Sequence, residues 1–218
     1  MTRSLMTLFA VALGVSVVIA IEMAGQSAAG SFRSSLEALA GKADLEVTAT
    51  GGVPEQYLGV LSRLPEISQV EPRIEDHAML VANEETVPLI GVDLVAMANR
   101  ASGVELSQVR DERFFEKLNA LDEVWVSSDL GKHEGETIEL LINDHTRMYR
   151  VAGTIASQEK SAGPVVLMDI GAAQSATGKA GHVDRVLLTL PEPKDIAGAE
   201  ATLAKLLPAG LQVRPQGA

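Results

Sequence analysis

Five sets of residues carry side chains whose types and spacing invite a chemical reading. Gly171, Gly178 and Lys179 suggest a phosphate-binding loop. Such a loop needs G-x-x-x-x-G-K-[ST], so that backbone N–H groups ring the phosphates and a hydroxyl holds the metal. Here the glycines stand seven positions apart and Ala180 occupies the place of the hydroxyl. The residues read instead as a glycine turn after a short helix, and any ATP hydrolysis would have to come from another chain. Ser157-Gln158-Glu159-Lys160 matches S-x-x-K, the nucleophile and base of penicillin-recognising enzymes. That chemistry also needs S-D-N and K-T-G elements, and Ser128-Asp129-Leu130 and Thr177-Gly178-Lys179 fit neither.

Histidines stand at 77, 133, 145 and 182, none three or four residues from another. Asp76-His77, Asp144-His145 and Asp184 place carboxylates near imidazoles, an arrangement more common as surface hydrogen bonding than as a metal site. Glu71, Glu75 and Asp76, followed by Glu84-Glu85, form acidic clusters without the ligand frame of a calcium loop, and a solvated face is expected there. Met79, Met97, Met148 and Met168 are scattered through different elements and read as core filler. The sequence therefore nominates no residue as catalytic, cofactor-binding or metal-ligating, and it calls for no cofactor.

Composition narrows the function further. The 218 residues hold 18 Lys+Arg against 29 Asp+Glu, a net charge of −11, with aromatics at 3% and no cysteine. A surface this acidic repels phosphate backbones, and scarce aromatics leave little to stack on bases, so nucleic acid is not an expected partner. Without cysteine there are no disulfides, thiolate nucleophiles or cysteine zinc sites.

The elements that must position these residues begin with an apolar run. Residues 5–21, LMTLFAVALGVSVVIAI, carry no charge. As a helix they would span roughly 25 Å, close to the hydrocarbon thickness of a bilayer. Arg3 before the run favours a cytoplasmic N-terminus, with everything after about residue 22 outside. A cleaved signal peptide also fits, with Ser27-Ala28-Ala29 as a small-x-small site; a buried soluble helix fits poorly because the run is apolar all round. The retained membrane helix is favoured. From Glu22 to Ala40 there is no proline, and Met23, Phe32, Leu36 and Leu39 recur at helical intervals, which extends the helix into a stalk.

Beyond Gly41 the pattern is mixed. Asp44–Thr50 alternates as a strand, and Pro54 opens a helix to about Leu64, where Pro65 stops it. Ile67–Pro72, Ala78–Val81 and Thr86–Val92 are strand-like. A short helix over Glu112–Leu121 leads to strands at Glu123–Val126, Thr137–Ile142, Tyr149–Ile155 and Val165–Met168. Val183–Leu190, Ile196–Leu207 and Gly210–Val213 then read as strand, helix and strand. The expected class is α+β: an N-terminal transmembrane and stalk helix (1–41), then a split, two-unit βαβ subdomain (42–100 and 161–218) interrupted by a small β-rich insertion (101–160).

In this order the chain resembles the periplasmic core domain of MacB/FtsX-type ABC-transporter permeases. ALGVSVVIAIEMAGQSAAGSFRSSLEALAGKADLEV resembles the family's first membrane helix running into its stalk and first strand. VPLIGVDL resembles the strand ending in a Gly-Val-Asp signature, here Gly91-Val92-Asp93. VWVSSDLGKHEGETIELLINDHTRMYRVAGTI resembles the inserted β subdomain, with a Leu-Gly turn, then Gly-Glu-Thr, then Val151-Ala152-Gly153-Thr154-Ile155. VVLMDIGAAQSATGKAGHVDRVLLTL resembles the strand, helix and strand that return to the first subdomain. The resemblance implies a non-enzymatic part of the bacterial inner membrane, followed in the family by further membrane helices. It implies a cytoplasmic ABC ATPase subunit as partner, with a second permease copy or a periplasmic protein as further candidates, and lipid around the membrane helix. The competing expectation is an anchored or secreted non-catalytic binding module that works without an ATPase.

Overall fold

The computed structural model describes residues 43–100, 120–155 and 163–216. The expected membrane helix, the stalk, the helix over 112–121 apart from its last two residues, and Ser157–Lys160 all lie outside them. Among the described residues no helix is long and apolar enough to cross a membrane.

Among the described residues nine strands and four α-helices follow one another. They are β1 (Leu45–Pro54), α1 (Gln56–Leu61), β2 (Gln69–Leu80), β3 (Glu85–Val92), α2 (Leu94–Arg100), β4 (Glu123–Ser127), β5 (Thr137–Ile142), β6 (His145–Ile155), β7 (Val166–Asp169), α3 (Ile170–Thr177), β8 (His182–Thr189), α4 (Ile196–Leu206) and β9 (Leu211–Pro215). The class is α+β and rich in sheet.

β1–α1–β2 and β8–α4–β9 interleave as β9-β1-β8-β2, with every neighbour antiparallel. That is the split βαβ arrangement of ferredoxin-like sheets. Period-two alternation buries one face of this sheet: Leu45 and Val47 on β1 and Val186 and Leu188 on β8 are fully buried in a cluster that includes Leu61 of α1 and Ala199 and Leu203 of α4. The i, i+4 spacing of the last two places both on one face of α4. Asp195 starts that helix by accepting the Gly198 N–H at 2.9 Å, which satisfies one of its orphan donors.

The remaining pairings run β2-β3-β7-β4-β6-β5 and back to β2. They close a six-stranded ring, which removes open edges. Its strands come from both sides of the expected insertion, with β3 before it and β7 after it. Val87, Leu89, Val124, Val126, Ile138, Leu140, Val151, Val166 and Met168 belong to the same continuous core. Asn143 (φ 48°) and Asp144 (φ 62°) join β5 to β6 in a two-residue turn. Two successive positive φ values match the twist that a tight hairpin requires.

Several expected boundaries move: the first strand runs on past Thr50 to Pro54, and β6 begins at His145 and not at Tyr149. Ile67–Pro72 and Ala78–Val81 are not separate strands. β2 is one strand of twelve residues, because the charges that broke the apolar pattern are met: Arg73 by Glu71 on the same strand, Glu75 by Arg185 of β8 and Asp76 by Lys179. β2 changes neighbour at Arg73, which pairs with Arg185 of β8 and with Val92 of β3. Pro72 is tolerated just before that point because β3 pairing begins only at Arg73, so one side of the proline needs no ladder bond. Pro54 closes β1 against His182 and does not open the helix, which runs only to Leu61, short of Leu64.

Two signature glycines have packing causes. Gly91 lies under α3: a Cβ there would stand 2.4 Å from the Ala173 Cβ and 3.2 Å from the Ile74 Cβ. Gly153 faces Trp125, the single tryptophan of the chain, with room for a Cβ only 3.2 Å from the indole Cδ1 and Nε1. Gly153→Ala is therefore expected to push the indole by a few tenths of an ångström and cost about 1 kcal/mol. Intrinsic fluorescence reads this directly, because all tryptophan emission comes from Trp125. A shifted emission maximum with a retained fold is the expected outcome, and an unchanged spectrum would refute the packing account.

Candidate functional site

The chemistry-bearing side chains converge where the ring joins the four-stranded sheet. On β2 the residues Glu71, Arg73 and Glu75 alternate, so all three project from the sheet face opposite α1 and α4. Arg73 is 3% exposed and Glu71 6%. The Arg73 Nη2 donates to Glu71 Oε1 at 2.9 Å and the Nε to the same oxygen at 3.3 Å. Alongside, the Arg185 guanidinium on β8 reaches Glu46 of β1 at 3.2 Å and Glu75 of β2 at 3.0 Å. One arginine thus ties three strands together.

At the ring end of β2, Lys179 lies in the connector from α3 to β8. Its Nζ is 2.8 Å from Asp184 on β8 and 3.0 Å from Asp76 on β2. Asp184 also accepts the Glu75 N–H at 2.8 Å. Burial pulls the Lys179 ammonium down, but its hydrogen bonds and charge pairing with Asp184 and Asp76 outweigh this and hold it above the ordinary 10.5. A folded-state value raised in this way supplies stability below the unfolded lysine value, lost as pH rises through the folded one. The clip is therefore intact throughout the neutral range.

Gly91-Val92-Asp93 ends in a cap, since Asp93 accepts the Ala96 N–H at 2.7 Å. Asp169, beside Val92 in the parallel β3–β7 pair, caps α3 by accepting the Gly171 N–H at 3.1 Å. Desolvation pushes the Asp169 carboxyl above the ordinary 3.8; the Gly171 N–H and other backbone donors oppose this, and the Asp93 charge adds to it. A carboxyl raised on folding binds its proton more readily in the folded chain, so stability falls as pH rises from 3.8 toward the raised value. Asp169→Asn keeps a capping oxygen and sheds the charge. It is expected to change stability at pH 7 by no more than about 0.5 kcal/mol, whereas Asp169→Ala loses about 1 kcal/mol. Thermal melts of the two variants between pH 3 and 7 separate the roles, with a flatter pH profile expected for asparagine.

The nominated motifs are placed as follows. Gly178 (φ 73°) is the left-handed cap of α3, and Lys179 makes ion pairs to carboxylates. His133 and His145 are exposed; the His77 N–H donates to Asp76, and the His182 Nδ1 sits 3.2 Å from the Ala180 carbonyl. Asp184 faces Lys179 and no histidine. Among the described residues no group of three or more histidine or acidic side chains is set to hold a metal ion. The acidic cluster is not simply a solvated face: Glu71 is buried with Arg73, and Glu75 and Asp76 face Arg185 and Lys179. Of the methionines, Met168 is fully buried, but Met148 is 51% exposed because its position on β6 points away from the ring interior. The sequence reading missed Arg73 and Arg185 altogether. The signal that could have found Arg73 is the strict Glu-x-Arg-x-Glu alternation, which on a strand places all three charges on one face; no such pattern surrounds Arg185.

The described fold is a split βαβ sheet sharing one strand with a β ring, with Arg185 and Lys179 pairing carboxylates on neighbouring strands. The family model for the MacB-like periplasmic core domain matches residues 4–206. The chain belongs to that family, the periplasmic domains of ABC-transporter permeases of the MacB/FtsX type. Among solved structures it is similar to the periplasmic region of MacB from Actinobacillus actinomycetemcomitans, at 14% identity and TM-score 0.55, covering 80% of this chain and 89% of that one. It is also similar to the extracellular domain of YknZ, a noncanonical ABC-type transporter from Gram-positive bacteria, at 11% identity and TM-score 0.56, covering 78% and 98%. At such identities the likeness concerns the fold. No curated protein matches the chain.

Proposed function

We propose that the chain is the leading part of a permease, in which residues 5–21 cross the inner membrane and the residues after about 22 work outside it. Residues 1–41 form the anchor and stalk; 42–100 and 161–218 form the external body, with 101–160 inserted. A cytoplasmic ABC ATPase subunit hydrolyses ATP, and membrane helices carry the resulting movement to the external domain, which handles a substrate or contacts a partner there. The domain itself performs no catalysis. A second permease copy or a periplasmic protein completes the assembly, lipid surrounds the span, and nucleic acid plays no part.

The observation that carries this reading is the extent of the family match. It begins at residue 4, directly before the apolar run, and so takes the run and the external fold as one unit. A proline-free stalk suits the transmission of displacement, which a Gly/Pro-rich linker would absorb. The test is purification of the native protein from membranes in mild detergent. An integral membrane species that brings an ATPase subunit with it is expected. A soluble mature form beginning near Gly30 would overturn the reading in favour of a secreted binding module.

A further inference from the structure

Between Leu45 and Pro215 the described chain passes between sheet and ring twice. It leaves the sheet along β2, at Arg73, and it returns through the connector 178–181. A single strand shared by two packed bodies is a natural pivot, because a few residues can absorb the change in φ and ψ. Here the two crossings meet at Lys179, beside a further bridge from Arg185 of β8 to Glu75 of β2 at 3.0 Å. Lys179, in the second crossing, holds Asp76 on the ring half of β2 and Asp184 on β8 of the sheet, at 3.0 and 2.8 Å. Asp184 in turn holds the Glu75 backbone at 2.8 Å, directly beside the point where β2 changes partners.

The connector is pinned from further sides. The Glu55 N–H donates to the Gly181 carbonyl at 2.9 Å, which ties the connector to the start of α1. Gln174 of α3 reaches the His182 carbonyl at 3.1 Å. At Gly178, the Asn143 amide of the β5–β6 turn stands 3.0 Å from where a Cβ would be. Elements of both bodies thus close on four residues.

We infer that the Lys179 clip is a conformational lock that sets the angle between the β ring and the four-stranded sheet, and that opening it lets the two flex about β2. The lock rests on the fold alone and stands apart from the proposed transport role. Its partly exposed ion pairs add little to overall stability; their effect is on geometry, because one ammonium joins two strands at the pivot.

The chain has no cysteine, so a Thr146→Cys, Gln212→Cys pair places one spin label on the ring and one on the sheet, both at exposed positions. Distances are measured by pulsed electron resonance on the full chain in detergent, with Trp125 emission confirming the fold. Lys179→Met is expected to widen the distance distribution about twofold, as a hinge released from a lock does, while Lys179→Arg keeps it narrow. A distribution as narrow in Lys179→Met as in the parent overturns the lock. Should Lys179→Met not fold, Asp76→Ala removes one arm alone: a widened distribution supports the lock, and an unchanged one overturns it.

Discussion

Alanine in place of Gly91 is expected to lower the free energy of unfolding by about 3 kcal/mol, the upper part of the range for overpacking a well-filled site. The reason is that neither neighbour can yield cheaply. The added methyl would stand 2.4 Å from the Ala173 Cβ, and both atoms are fixed to backbone, one on β3 and one on α3. Relief requires moving the helix off the sheet by more than an ångström, and that unpacks Ala172 and Ala173, buried residues of the helix itself. On the other side the Ile74 Cβ at 3.2 Å blocks a sideways shift of the strand. For a domain of this size the loss corresponds to about 6–12 °C in melting temperature. Ala173→Gly removes the opposing methyl at a helix-propensity cost of about 1 kcal/mol. The double variant should therefore be more stable than Gly91→Ala alone. Independent, additive losses in the thermal melts would show that the helix does not rest on Gly91.

The second large effect is expected at Arg73. Arg73→Met removes the guanidinium that serves Glu71 while leaving that carboxylate 6% exposed. Breaking a buried ion pair from one side costs about 3–5 kcal/mol, since the remaining charge stays desolvated. Methionine fills much of the same volume, so the loss reports on charge more than on a cavity. Adding Glu71→Gln removes the charge that Arg73 balances and should recover part of the loss, giving a coupling energy of about 1 kcal/mol or more in a double-mutant cycle. Denaturation followed by Trp125 emission measures all four members of the cycle. A loss below about 1 kcal/mol for Arg73→Met would place the pair among ordinary surface bridges and contradict its burial.

How legible these features were depends on the kind of physics behind them. Local periodicity named β1, β3, β5 and α4 well, because Leu45/Val47 and Ala199/Leu203 repeat at the spacing of their own element. The residue types of the Asn143-Asp144 turn suit their place, because few residues accept two successive positive φ values. Strand β2 was cut in two because its middle is charged, and those charges are satisfied by Arg185 and Lys179, residues over a hundred positions later. Nothing local to Arg73 announces that it will be buried. Gly91 and Gly153 stood out as family signatures, but the reasons for them, Ala173 and Trp125, lie on other elements. The Lys179 cluster was weighed as phosphate chemistry from its neighbours in sequence, and its true partners are neighbours only in space.

The shared strand also decides how the domain would bear tension. Because β2 runs unbroken from one body into the other, a pull that separates them acts along the strand and not across it. It loads the ladders to β8 and to β3 in shear, so that several hydrogen bonds must give way together. A joint made of two strands side by side at a free edge would instead unzip one bond at a time. The domain is thus built to resist stretching along β2 far more strongly than peeling at β9, which among the described residues pairs with β1 alone.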